Sequence, residues 1–163
     1  MAKKILAWSE CQIKVGTAGE AVDSWTSIGT IKDKSAALTS EDGDTLEMKS
    51  TGGHLVGYEK QEGTMSLVCT VIEPDSEFYT LFGIGTPDTN DIKVTTHVVD
   101  AERAVKVIPK NVGAYGLEAP FTSVSIKTGW SEEEGNYAEV TFGILNKVED
   151  GGATYWYKKV KKA

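Results

Sequence analysis

Four carboxylates crowd one short stretch: Glu41, Asp42, Asp44 and Glu47. Oxygen ligands this close could hold a calcium ion. A calcium loop of the EF-hand type wants oxygen ligands at its first, third and fifth positions, a glycine at the sixth and a glutamate at the twelfth. Counted from Asp42, Leu46 takes the fifth place and Glu47 the glycine's, so a solvated turn is the better reading. Glu132, Glu133 and Glu134 offer paired carboxylates, as glycoside hydrolysis requires. Being consecutive, their side chains splay apart instead of flanking one bond. The two histidines, His54 and His97, have no nucleophile elbow of the Gly-x-Ser-x-Gly kind to serve. His54 adjoins Gly52-Gly53 and reads as a surface residue at a turn; His97 precedes Val98-Val99 and reads as a strand residue. Cys11 and Cys69 lie in separate strand-like runs without a CxxC pair or a Cys/His cluster. They read as small buried or half-buried apolar residues. No phosphate loop or dinucleotide fingerprint occurs. These residues lead us to expect no enzyme, no metal site and no cofactor.

The four tryptophans, Trp8, Trp25, Trp130 and Trp156, leave a second class of function open. Exposed coplanar aromatics on a β-face make a carbohydrate-binding module; the same residues serve equally as core or interface anchors. The net charge of −7 argues against a general grip on nucleic acid, which depends on Lys and Arg neutralising phosphates. It is compatible with a surface that repels nucleic acid.

The elements that would carry these side chains are mostly strands. With 163 residues and 40% hydrophobic content the chain suits one domain, 1–163, with a sizeable core. The apolar run in Ile5-Leu6-Ala7-Trp8 is shorter than the roughly 7–15 residues of a secretory signal. Nothing approaches the ~20 apolar residues of a membrane span. The expectation is a protein kept in the cytoplasm, or one leaving by a route that needs no signal. Alternation with period two marks strands at 4–8, 12–15, 25–31, 64–72, 92–99, 103–108, 121–128, 137–144 and 154–158. Ile92–Val99 and Arg103–Ile108, separated by Asp100-Ala101-Glu102, read as a hairpin. Gly85–Asp91 reads as a loop. A helix is predicted over 74–83, with Pro74 in its first turn, Phe78, Leu81 and Phe82 as its apolar stripe and Gly83 as its cap.

Between Leu38 and Ile72 lies a long polar hairpin, an arm at about 40–63 turning at Gly52-Gly53 and leading into the strand Thr64–Ile72. It is too regular for a linker and too hydrophilic for core. An ordered polar arm is usually given to a partner.

This order of strands, polar arm, core strand, one short helix and paired strands resembles the phage tail tube (major tail) protein family. In detail the likeness rests on Leu38-Thr39-Ser40-Glu41-Asp42-Gly43-Asp44, on Glu47-Met48-Lys49-Ser50-Thr51-Gly52-Gly53 and on Glu62-Gly63-Thr64-Met65-Ser66-Leu67. The resemblance implies a mainly β, sandwich- or barrel-like fold with a flanking helix. It implies self-association of six copies into rings that stack as a tube, with DNA passing through without specific binding. It implies further tail proteins as partners (initiator, terminator, tape measure), no membrane, assembly in a host bacterial cytoplasm and residence in the virion tail. It gives the arm, with Asp44, Glu47, Lys49, Gly52, Gly53, His54, Tyr58 and Lys60, the role of bridging subunits. Ring closure would pair strand edges that a lone sandwich leaves exposed. Two matters stay open: whether the tail is contractile, and which residues face the lumen. The basic stretch Lys158-Lys159-Val160-Lys161-Lys162 has no assigned role.

Overall fold

Buried residues alternate with more exposed ones over 66–72, 121–127 and 137–143, as they must where one face of a sheet meets a core. The computed structural model describes residues 10–19, 22–147 and 154–161; the strand expected at 4–8 lies outside them. The strands are β1 (Cys11–Thr17), β2 (Thr26–Ser27), β3 (Thr30–Ile31), β4 (Ala37–Glu41), β5 (Thr45–Lys49), β6 (Leu55–Lys60), β7 (Thr64–Ile72), β8 (Gly85–Asp88), β9 (Asp91–Val94), β10 (Arg103–Pro109), β11 (Tyr115–Ser131), β12 (Gly135–Ile144) and β13 (Trp156–Lys159). One helix, α1 (Ser76–Phe82), interrupts them. The protein is mainly β, built on one large antiparallel sheet.

That sheet runs β2-β1-β10-β11-β12-β7-β3, with β4 also on β7 and β13 also on β11. Its end strands β2 and β3 are consecutive in the chain, broken only at Ile28-Gly29, where Gly29 has φ 118°. Residues 26–31 therefore cross from β1 (Val15↔Thr26) to β7 (Ile31↔Val71), and the Ile28 N–H donates to the Ile13 carbonyl at 3.1 Å. This crossing curls the sheet on itself. The strand expected over 25–31 is thus two short pairings with two different neighbours.

Inside the curl lie Ile13, Val15, Leu67, Cys69, Val71, Val105, Ala119, Val124, Ile126, Val140 and Phe142, all buried. α1 closes over them. Phe78 and Phe82 stack edge-on at 5.0 Å between ring centres, and Phe82 meets Phe142 at 6.4 Å. Asp75 caps the helix, accepting from the Phe78 N–H at 3.1 Å, and Gly83 ends it with φ 69°. Pro74 therefore stands before the cap, not in the first turn. The helix buries Phe78, Tyr79 and Phe82, while Leu81 is only half-buried. Thr122 is a buried polar residue, and its hydroxyl donates to the Arg103 carbonyl at 2.6 Å, where β10 bulges against β11.

One expected pairing is replaced. Ile92–Val99 does not form a hairpin with 103–108. Asp91–Val94 pairs with Gly85–Asp88, the segment read as a loop, while Arg103–Pro109 lies between β1 and β11. His97 consequently sits exposed in a bend, not in a strand.

Both thiols are free. Burial pushes Cys69 up to about 12 from its ordinary 9.0, with a smaller electrostatic contribution from Cys11. Burial raises Cys11 as well. A thiol whose folded pKa exceeds its unfolded one stabilises fully below the unfolded value, and the contribution is lost as pH rises through the folded value. Stability should therefore fall between about pH 9 and pH 12, by up to about 4 kcal/mol from this group. Denaturant melts of wild type and Cys69→Ala across that range check it: the variant's slope should be shallower, and equal slopes would sink the attribution.

Candidate interaction surface

The arm begins where β4 and β7 end. Ser40↔Met65 and Glu41↔Thr64 close the body's ladder, and Thr45↔Lys60 opens the arm's. Between them two glycines sit back to back. A Cβ on Gly43 would lie 2.2 Å from the Gln61 carbonyl oxygen, and one on Gly63 would lie 2.0 Å from that of Glu41. Only a residue without a side chain lets the two backbones approach this closely. The Gln61 N–H then donates to the Asp44 carbonyl at 2.7 Å and starts the second ladder.

β5 and β6 pair from Thr45↔Lys60 to Lys49↔Leu55, with a bulge that leaves Val56 unpaired. Gly52 (φ 93°) and Gly53 (φ 81°) make the turn, tied by bonds from the Ser50 N–H to the His54 carbonyl and from the Gly53 N–H to the Ser50 carbonyl. The turn anticipated at Gly52-Gly53 is where the chain reverses. His54 is exposed there, and the Ser50 hydroxyl donates to its backbone carbonyl at 3.5 Å.

Every residue of both strands is exposed. Cross-strand partners share a face. On one face stand Glu47, Tyr58, Thr45 and Lys60. Its charges are largely matched locally: Lys49 is 3.5 Å from Glu47, and Lys60 is 3.7 Å from Asp42. On the other face stand Leu46, Met48 and Glu59, with Asp44 at the base. Neither Glu59 nor Asp44 has a cation within ion-pair distance among the described residues.

Of the residues singled out from sequence, Glu47, Lys49, Tyr58 and Lys60 gather along the first face, Gly52, Gly53 and His54 at the tip, and Asp44 at the base. Apart from Tyr58, sequence reasoning missed the apolar members. Leu46, Met48, Leu55, Val56 and Tyr58 are 53–70% exposed. Gathered on one hairpin, with Leu46 and Met48 on one face and Leu55 and Tyr58 on the other, they mark a contact surface, whereas scattered single exposed apolar residues are ordinary. Their alternation with charged neighbours was the signal available.

No protein-family model matches the sequence, and no curated protein matches it significantly. The reading therefore rests on the geometry. Among the described residues no three His, Cys, Asp or Glu side chains converge as metal ligands, and Glu41, Asp42, Asp44 and Glu47 do not gather. Glu134 is drawn to Lys32 as an ion pair and not to its acidic neighbours; hydrogen bonding to Glu134 is the main reason Lys32 holds its proton more tightly than usual. The described tryptophans do not form a shared open platform: Trp25 and Trp156 each lie under a lysine, and only Trp130 is largely exposed.

Proposed function

We propose that this chain is a structural subunit of a phage or prophage-derived tail tube, self-associating into stacked, six-membered rings around a channel for DNA. One observation carries the reading: the β5–β6 arm is fully formed, exposed at every residue and armed with five large apolar side chains that stay more than half exposed among the described residues. A two-stranded ribbon is marginal alone in water, and burying each such side chain is worth about 1.5–3 kcal/mol. Association supplies that burial. The curled antiparallel sheet with one helix and the order of its elements support the same assignment. The acidic balance suits a conduit, since carboxylates facing DNA repel its phosphates and keep the strand moving. Initiator, terminator and tape-measure proteins would be its further partners, and the assembled tail its location.

Negative-stain microscopy over a concentration series, with light scattering for mass, tests this. Rings or hollow tubes with a central channel are expected. A particle that holds the 17.6 kDa of one chain at every concentration would count against the proposal.

A further inference from the structure

The outer face of the sheet carries an unusual row. Reading across β2, β1, β10, β11 and β13, the paired residues are Ser27, Lys14, Lys106, Glu118 and Trp156. Lys14 and Lys106 are direct cross-strand partners, an arrangement that destabilises a sheet by like-charge repulsion. Glu118, next in the row, does not neutralise them both: it is engaged by Lys158 at 2.7 Å. Burial lowers the pKa of Lys106; Glu118 opposes the shift, and Lys14 and Lys158 add to it. Two tryptophans complete the face. Lys106 lies 4.6 Å above the ring of Trp25, and Lys158 lies 5.0 Å from that of Trp156. Gly16 makes room for Val22 and Ser24, which lead into Trp25, because a Cβ there would meet Val22 Cγ1 at 2.4 Å and the Ser24 carbonyl at 2.9 Å. On a chain of net charge −7 this is a cationic, aromatic surface held together against its own repulsion.

The complementary chemistry lies elsewhere on the same chain. Segment 40–63 carries six carboxylates against two lysines. Its face with Leu46, Met48 and Glu59, and Asp44 below, is apolar and acidic, with those two carboxylates lacking cations among the described residues. We infer that this arm face docks on the Lys14–Lys106–Trp25–Trp156 surface of a second copy. The inference rests on the assembly reading and names the receiving surface. Leu46 and Met48 lie along the lysine stems that cover the indoles, while Asp44 and Glu59 relieve the facing ammonium groups. The apolar groove of about 1020 Å³ between Leu38, Leu67, Val107 and Leu117 is a poorer receiver for carboxylates, because its lining carries two acids, Glu10 and Asp33, against one lysine, Lys34.

Charge exchange in the full-length chain tests the docking. Lys14→Glu/Lys106→Glu should raise the critical concentration for assembly at least about tenfold, as should Asp44→Lys/Glu59→Lys. The four changes together should restore it to within about threefold of wild type. Lys14→Gln/Lys106→Gln, which removes the like-charge pair, guards against loss of fold, and it too should weaken assembly. Wild type that assembles while the reversed variants assemble equally well overturns the docking and leaves the tube reading standing. Single reversals that fail without rescue overturn it as well. So does DNA binding by this face that the lysine changes abolish while assembly is untouched. A wild-type chain that never associates overturns both readings.

Discussion

Replacing Thr45–Lys60 by Asn-Gly is expected to yield a folded subunit that no longer associates. The excision is geometrically conservative. Asp44 and Gln61 are already hydrogen-bonded at 2.7 Å across the base of the arm, and Asn-Gly supplies the positive φ of a two-residue hairpin turn. The body loses little, because none of the removed residues is buried and none of their hydrogen bonds or ion pairs reaches beyond 42–61 among the described residues. Shortening the connection repays some closure entropy, about 0.6 kcal/mol for each halving. Thermal unfolding should therefore shift by no more than about 1 kcal/mol of stability, while sedimentation shows one species at concentrations where wild type polymerises. An unfolded product would make the arm part of the core; undiminished tubes would strip it of its role.

Gly63→Ala should abolish assembly without touching any arm side chain. Its new methyl would sit 2.0 Å from the Glu41 carbonyl oxygen, 3.0 Å from that carbonyl carbon and 3.1 Å from the Gly43 nitrogen. All three are backbone atoms and cannot swing aside as a side chain tip would. The strands must part, at a typical overpacking cost of about 1–3 kcal/mol, and the Glu41↔Thr64 pairing is the first to yield. The arm then leaves the body at a different angle. Amide exchange at Ser40–Glu41 should quicken while that of Val68–Val71 stays slow. Gly143→Ala, outside the arm, is the control, since a Cβ there meets only the Ser123 carbonyl at an ordinary 3.6 Å; equal loss in both variants would refute the crossing-point argument.

The sequence was most readable where local chemistry decides the outcome. Thr64–Ile72 is a strand at its expected bounds because alternation and β-branched residues agree there. Gly83 ends the helix as expected, by a capping property of adjacent residues, whereas the start falls at the Asp75 cap and not at Pro74. The arm's turn follows from two glycines that reach positive φ freely. Pairing partners were much less legible. Period two says that Ile92–Val94 is extended, but not that it joins Gly85–Asp88; both strands are almost wholly exposed, so no buried face betrays them. Thr89, at φ 49°, turns that hairpin where a glycine would have announced it. On the arm, charge drew attention to one face and hid Leu46 and Met48 on the other, because assigning faces needs the register and its bulge.

The crossing strand at 26–31 sets the order in which the subunit comes apart. β11–β12 and β12–β7 are long ladders, whereas the curl is closed by β2 and β3, each two residues long. Local opening favours the part with fewest bonds, so the seam gives way first and the sheet unrolls with its helix and central ladders intact. The unrolled form bares the edges of β1 and β7 at Val15 and Val71, two unpaired strand rims of one polypeptide. A crowded population of such subunits is thus exposed to strand exchange at its own closure, a hazard that early burial of this face in a neighbour would suppress.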